Sequence, residues 1–395
     1  MAREPQLDAL TVVRFLAAFA VFNLHAVFNP QYIAPAQWAY GLPKFVQSII
    51  GSGISGISLF FMLSGFVLAY SNKNWLSSRA ETVGFWSSRF ARIYPAYFLA
   101  IVWFAPFILV HRLSTEPADV AIGKALASFI PTTFLVQSWF HPRFAISWNG
   151  PGWTLSVEAF FYLLFPLIAP RVRSLPNPQK LSLCLACWVL AAALSLIDPF
   201  VMRPSLLRDM FFSYNPMIHL PTFVSGVALG YHFTQRTQPL SGTALSIAGL
   251  LLIGAISPVA YWMPHLLIHN SLFLPAFGLL LYGLALGGWP ANLLSRPGMV
   301  VLGEASYSLY ILQFSIVYSL MWVEQGFVFH DFIQDGRTHP ILSWPQFYLL
   351  STVTSIAISI VVQRFYEQPL RRYIRGRLLR LIGYSPKFEP VGAKA

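Results

Sequence analysis

The sequence predicts an all-α polytopic membrane helix bundle of about ten transmembrane helices with both termini cytoplasmic. Three observations carry that expectation. Hydrophobic residues make up 56% of the 395 and charged residues only 10%, a balance foreign to soluble globular chains of this length. Apolar stretches of bilayer-spanning length recur from end to end. Lys and Arg divide unevenly between the loops on the two sides, eighteen on one and seven on the other, with Arg14 inside the first stretch; the richer side is the cytoplasmic one.

The ten stretches lie at about residues 9–27, 48–70, 94–111, 153–170, 181–197, 215–234, 243–262, 270–288, 300–323 and 345–366. The first is of full span length without a small-residue cleavage site, so it reads as an anchor helix and not a cleavable signal. An eleventh segment, 122–138, is shorter and interrupted by Lys124 and Pro131. If it crossed, the Arg171–Lys180 loop would move outside and every later loop would change sides. Residues 112–152 are therefore expected to form an external excursion, with re-entry left open. Residues 1–372 read as one transmembrane domain and 373–395 as a basic cytoplasmic tail. The net charge of +12 needs no nucleic-acid partner, because most of it falls where anionic headgroups of the membrane lipids lie. The run Arg364, Arg371, Arg372, Arg375, Arg377 and Arg380 reads first as a lipid-facing amphipathic tail. Cys184 and Cys187 both sit inside an apolar helix, so they read as packing residues and suggest neither a disulfide framework nor a metal site.

Three places carry polar chemistry inside this apolar chain. In the first helix, Arg14 and His25 are eleven residues apart, which returns the second to within about 20° of the first and about 16 Å further along the axis. Charged groups inside a lipid-length helix usually mark a functional pathway; the plainer alternative is a snorkelling arginine and a hydrogen-bonded histidine. Arg89 and Arg92, three apart at the start of the third helix, share a side and suit phosphate oxygens, against the plainer reading of positive flanking charge. Glu158 falls in the first two turns of the fourth helix, after Gly150-Pro151-Gly152-Trp153. Because that helix runs opposite to the first, Glu158 is expected at a depth similar to His25, where a carboxylate orients an imidazole base. Trp148 and Trp153 suit either stacking on a sugar face or interfacial anchoring. His219 follows Asn215 by one turn and is a candidate for lining an acceptor pocket. His111, His141, His265 and His330 read as external-loop residues and His232 as a cytoplasmic helix end.

At these residues the sequence resembles the acyltransferase-3 family, integral membrane enzymes that move acyl groups, most often acetyl, onto hydroxylated acceptors. The resemblance spans residues 8 to about 372. It rests on Arg14 and His25, on Leu59-Phe60-Phe61-Met62-Leu63-Ser64-Gly65-Phe66, and on Arg89 to Arg92 followed by Ile93-Tyr94-Pro95. It continues through Gly152-Trp153-Thr154-Leu155-Ser156-Val157-Glu158, Leu302-Gly303-Glu304-Ala305-Ser306-Tyr307-Ser308-Leu309-Tyr310 and Tyr366-Glu367-Gln368-Pro369-Leu370. The resemblance implies His25 as catalytic base, Arg14 as a partner in the acyl-donor channel and Arg89 and Arg92 on coenzyme A phosphates. Glu158, Trp153, Ser156 and Tyr307 would shape the reaction centre. Two positions depart from the family pattern: Gln313 stands where a histidine is usual, and Thr222 where a glutamate is familiar.

The resemblance thus implies an O-acetyltransferase of a bacterial cytoplasmic (inner) membrane, with acetyl-CoA or another acyl-CoA as co-substrate and no metal. The acceptor would be a carbohydrate or glycolipid: an exopolysaccharide, O-antigen or lipid-linked glycan. A small hydroxylated metabolite is the alternative acceptor. His25 would deprotonate the acceptor hydroxyl for direct attack on the thioester; an acyl-enzyme through Ser64 or Ser156 is the less favoured route, since neither motif brings its own base. A transporter or flippase using Arg14, His25 and Glu158 as a relay is the other class to be weighed, but the inverted repeats it calls for are not visible. The sequence leaves the oligomeric state open.

Overall fold

The computed structural model describes residues 5–28, 41–73, 78–140, 142–201, 211–237, 239–324 and 341–381, and every regular element among them is helical. The principal helices are α1 (Pro5–Phe28), α2 (Gly56–Ser71), α3 (Arg79–Thr115), α4 (Ala118–Thr133), α5 (Trp153–Ser174) and α6 (Asn177–Val201). They continue as α7 (Pro216–Thr234), α8 (Gly242–Ile256), α9 (Leu274–Leu286), α10 (Pro297–Glu324), α11 (Trp344–Val362) and α12 (Gln368–Leu381). Among the described residues nine helical segments are long and apolar enough to cross a membrane. They coincide with nine of the ten expected stretches; the other, 215–234, is α7, whose Pro, Ser, Gly and His residues dilute its apolarity. That composition fits its position, because α7 is enclosed by α2, α5 and α6.

Two helices extend well past their apolar cores. The third helix starts well before its apolar stretch at 94: Ser78 and Glu81 form a reciprocal capping box, each side chain accepting from the other's backbone N–H, and this fixes the helix start fifteen residues earlier. Arg89 and Arg92 therefore lie within a continuous helix, three turns or so from its N-terminus, and not at its mouth. At the other end of the chain, α11 runs through a π-helical turn, Gln363–Glu367, directly into α12. Such turns are uncommon and often sit at functional positions.

Close backbone approach sets the central packing. A Cβ on Gly226 would collide with the carbonyl oxygen of Met62, one on Gly65 with that of Phe223, and one on Gly230 would lie 2.6 Å from that of Phe66. The small residues let α2 and α7 touch along their backbones, as is common between helices in lipid. Gly226→Val is expected to lower the thermal midpoint of the purified protein by several degrees, on the order of the 1–3 kcal/mol of an overpacked core. Gly254→Ala, whose added carbon meets nothing within 4 Å, is expected to leave it unchanged. Equal midpoints would refute this packing.

Re-entry, which the sequence leaves open for this excursion, is the arrangement that the packing of α4 favours. α4 packs on α3 and runs back along it for about 24 Å, so that the carbonyls of Thr132 and Thr133 accept the hydroxyls of Tyr97 at 2.8 Å and Tyr94 at 3.4 Å. Its outer face exposes Ile122, Leu126, Ile130 and Phe134, a stripe suited to lipid. The chain then turns at Leu135 (φ 58°). Polar groups of the returning loop find protein partners, as backbone at membrane depth requires: Gln137 Nε2 donates to Tyr97 Oη and Gly152 O, and Ser138 donates from its backbone to Ser156 Oγ and from its hydroxyl to Trp153 O.

Candidate active site

Three parallel helices set a common depth scale. Tyr307 Oη donates to Ile93 O at 2.5 Å, Ser315 Oγ to Ala100 O at 3.3 Å and Trp103 Nε1 to Ser319 Oγ at 3.0 Å, so α3 and α10 run side by side in the same direction. α1 packs on α10, where a Cβ on Gly303 would lie 2.8 Å from the Thr11 backbone. On this scale Arg14, Arg92 and Tyr307 share one level.

Glu158 joins them there. The Trp86 indole donates to Tyr162 O at 3.0 Å, locking α3 against α5 so that Arg89 lies over the rings of Phe85 and Tyr162, 5.7 and 5.9 Å from their centroids. Glu158 accepts from Ser64 Oγ at 3.1 Å and from the Tyr162 hydroxyl. Arg14, Arg89 and Arg92 all interact electrostatically with Glu158 and Tyr162. From the other side come Glu367, buried and accepting from Ser308 Oγ at 2.6 Å, and Arg371, which interacts with Arg89 and Arg92. Positive charge exceeds negative in this cluster even with both carboxylates ionised.

His25 occupies a second level. Its Nδ1 lies 3.0 Å from Gln313 Oε1, while Gln313 Nε2 donates to Tyr310 O at 2.7 Å. The second bond orients the amide, so its oxygen faces the imidazole and His25 donates from Nδ1; in the neutral ring, Nε2 then holds the basic lone pair. Phe314 meets the ring edge to face at 5.2 Å and also packs on Gly150. Beside it Asn149 donates to Ile311 O at 2.9 Å, and its own Oδ1 is buried without a partner. The expectation that Glu158 flanks His25 is not what the structure shows. Asn149 and Gly150 already stand at the His25 level, so Glu158, eight residues further along, lies roughly 12 Å away toward the arginines.

The other expected residues divide by their partners. Trp153 is buried among Tyr214 (4.9 Å between centroids), His219 (5.4 Å), His269 (5.8 Å) and Phe61 (6.3 Å). His219 is fully buried, with Nε2 2.9 Å from Ser213 O and Nδ1 without a partner. Trp148 donates to Ser128 Oγ at 3.0 Å and stacks edge to face on Phe129, so it secures the re-entrant loop. Ser156 accepts from Ser138 N and has no exposed surface, and Ser64 donates its hydroxyl proton to Glu158. Tyr307 spends its hydroxyl on the α3 backbone between Arg92 and Tyr94. Asn149 and His269 escape the sequence reading: Asn149 adjoins a motif whose weight falls on Trp153 and Glu158, and His269 sits in an apolar run. His265 lies in a short helix, His265–Asn270, whereas His141 and His330 fall outside the described residues.

Residues 7–364 match the family model described as an acyltransferase domain, that of acyltransferase-3. The chain belongs to the acyltransferase-3 family. It is 31% identical over 343 residues to the acyltransferase MdmB of Streptomyces mycarofaciens, covering 82% of this chain and 83% of that protein. It is 24% identical over 406 aligned residues to the peptidoglycan O-acetyltransferase OatA of Listeria monocytogenes, and 23% identical over 380 to the O-acetyltransferase OatA of Staphylococcus aureus. Those two matches cover 93% and 90% of this chain but only 56% of each relative, so the chain spans little more than half of either OatA. No solved structure matches. The protein is thus an acyltransferase of multi-pass membrane architecture, and the relay-type transporter gives way to an enzyme that takes an acyl donor.

Proposed function

We propose that this acyltransferase moves an acetyl group from cytoplasmic acetyl-CoA to a hydroxyl of a carbohydrate acceptor near the outer face of a bacterial cytoplasmic membrane. The observation that carries the reading is the two-level arrangement along α1. Arg14, with Arg89 and Arg92, forms an anion-attracting level, and His25 stands about 16 Å beyond it on nearly the same helix face. Coenzyme A is anionic at its nucleotide and carries its thioester on a thin arm of comparable length. Arginine forks at one level hold phosphoryl oxygens while the arm reaches the imidazole.

There His25 Nε2 takes the proton of the acceptor hydroxyl and the oxygen attacks the thioester carbonyl. The carbon–sulfur bond breaks, and the departing thiolate takes the proton back from the imidazolium. Gln313 holds the ring in the tautomer this requires. Glu158, with Ser64 and Tyr162, spaces the arginines and does not act on the imidazole. Tyr307 anchors α3 beside Arg92; Ser156 and Trp148 hold the re-entrant loop, and Trp153 with His219 borders the acceptor side. The acceptor class follows the peptidoglycan O-acetyltransferase among the relatives. In this reading residues 1–372 carry the acyltransferase domain, both termini are cytoplasmic, and the basic tail of 373–395 begins within α12 and adds to the donor side.

Inverted and right-side-out vesicles supplied with acetyl-labelled acetyl-CoA test the direction. Label is expected in carbohydrate esters only when the donor meets the face bearing the basic tail. Equal labelling from both faces, or none, would overturn the reading.

A further inference from the structure

We propose that Arg371 and Arg375 of α12 complete, with Arg89 and Arg92, a four-guanidinium site for two separate phosphoryl groups of a nucleotide. This inference rests on the coenzyme A reading above and deepens it: the inner pair, Arg92 and Arg371, takes the pyrophosphate, and the outer pair, Arg89 and Arg375, takes the 3′-phosphate.

The sequence reading places all six arginines of the last helical run against lipid, but the structure divides them. Arg371 and Arg375 are one turn apart and half-buried on α12, the helix that packs on α3. Arg371 interacts with Arg92, Arg89 and Arg375, and Arg89 in turn with Arg375. Arg372, Arg377 and Arg380 are exposed instead; Arg377 covers the Tyr373 ring at 5.4 Å and Arg380 donates to Gly376 O at 3.1 Å. Only the outward set suits headgroups.

The inward set is unsatisfied. Among the described residues none of Arg89, Arg92, Arg371 and Arg375 has a hydrogen-bond or ion-pair partner, and the Nε atoms of Arg89 and Arg375 are shut off from solvent without an acceptor. A buried donor left unmade is costly, and a buried charge more so. Like charges held together raise that cost further. The fold nevertheless fixes them in place. The π turn sets the direction of α12, and Glu367, held by Ser308, draws on both Arg92 and Arg371. An anion with several acceptor oxygens satisfies all of these groups at once, and two phosphoryl groups match two pairs of forks.

The order of the pairs follows from chain direction. α3 runs from Arg89 toward Arg92 and on to the His25 level, while α12 runs the opposite way, from Arg371 to Arg375. The inner pair is therefore nearer the reaction level. In coenzyme A the pyrophosphate is nearer the thioester and the 3′-phosphate more remote.

The test uses full-length protein in nanodiscs of phosphatidylcholine alone or with phosphatidylglycerol, assayed with acetyl-CoA and acetyl-3′-dephospho-CoA. Arg371→Gln and Arg375→Gln are expected to raise KM for acetyl-CoA about tenfold, the scale of one charge-assisted contact, with kcat within threefold. With the dephospho donor, Arg375→Gln is expected to match wild type, whereas Arg371→Gln keeps its defect. Arg377→Gln serves as the outward-facing control and is expected to leave both constants unchanged. Arg375→Lys, which keeps the charge and loses the fork, guards against a misfolded variant and is expected to fall between. Unchanged KM in both glutamine variants overturns the site, as does a defect seen only when anionic lipid is present, which assigns the arginines to headgroups. Wild-type protein that never turns over acetyl-CoA overturns the coenzyme A reading itself.

Discussion

His25→Ala is expected to lower kcat for acyl transfer about a thousandfold, within the range general-base catalysis contributes, and to leave KM for the donor within a few-fold. The split follows from the two levels: the donor is held by arginines on one, and the proton is taken on the other. Its companion is Gln313, whose amide, oriented by Tyr310 O, accepts from His25 Nδ1. Gln313→Met fills nearly the same volume without an acceptor, so the ring loses its preferred tautomer, and kcat is expected to fall about tenfold. Gln313→Glu restores an acceptor oxygen and is expected to recover most of that loss. A side chain that merely fills space would show the reverse order, because methionine is the better apolar filler. Stopped-flow or discontinuous measurement of free thiol on detergent-purified variants reads all three. A kcat for His25→Ala within tenfold of wild type would remove the histidine from the chemistry.

The usual histidine of the family at position 313 bears on the same point. Gln313 cannot titrate, yet its carbonyl oxygen performs the one service the imidazole needs, accepting a hydrogen bond from Nδ1–H. The departure noted in the sequence therefore costs this arrangement nothing that the structure calls for.

How far the chain is legible depends on which force places each element. The spans follow from apolar length, and nine of them stand where hydropathy puts them, because in lipid only a helix satisfies every backbone group within a single apolar segment. Arg14 and His25 on one face follow from helical period alone. The start of α3 is hidden because its first turns are polar, although Ser78 and Glu81 carry the capping signal. The depth of Glu158 is not legible, since it depends on how far the loop from Leu135 to Asn149 reaches into the bundle, and nothing local to Glu158 encodes that distance. The inward turn of Arg371 and Arg375 is hidden for a related reason: the spacing that faces them to α3 is the same one that would face them to headgroups.

Glu158→Gln is expected to destabilise the unliganded enzyme by about 1–3 kcal/mol, the scale of charges attracting one another across a few ångströms beyond contact at protein dielectric, and to make that loss recoverable by coenzyme A. Glutamine keeps the shape and the acceptor oxygen that Ser64 and Tyr162 address, so the substitution removes charge and little else. Arg14, Arg89 and Arg92 all draw on this one carboxylate; Glu367 serves Arg92 but stands across the cluster with Ser308. Without Glu158 the three guanidiniums repel one another with no anion between them, and the α1–α3–α5 junction loosens. A polyphosphorylated ligand returns the missing negative charge, so the thermal midpoint of the variant is expected to rise more on adding coenzyme A than that of wild type does. If Glu158 instead served His25, the variant would lose turnover with its thermal midpoint intact, and added coenzyme A would stabilise both proteins alike. Melting curves of the two proteins with and without ligand therefore distinguish a carboxylate that organises the donor site from one that assists the base.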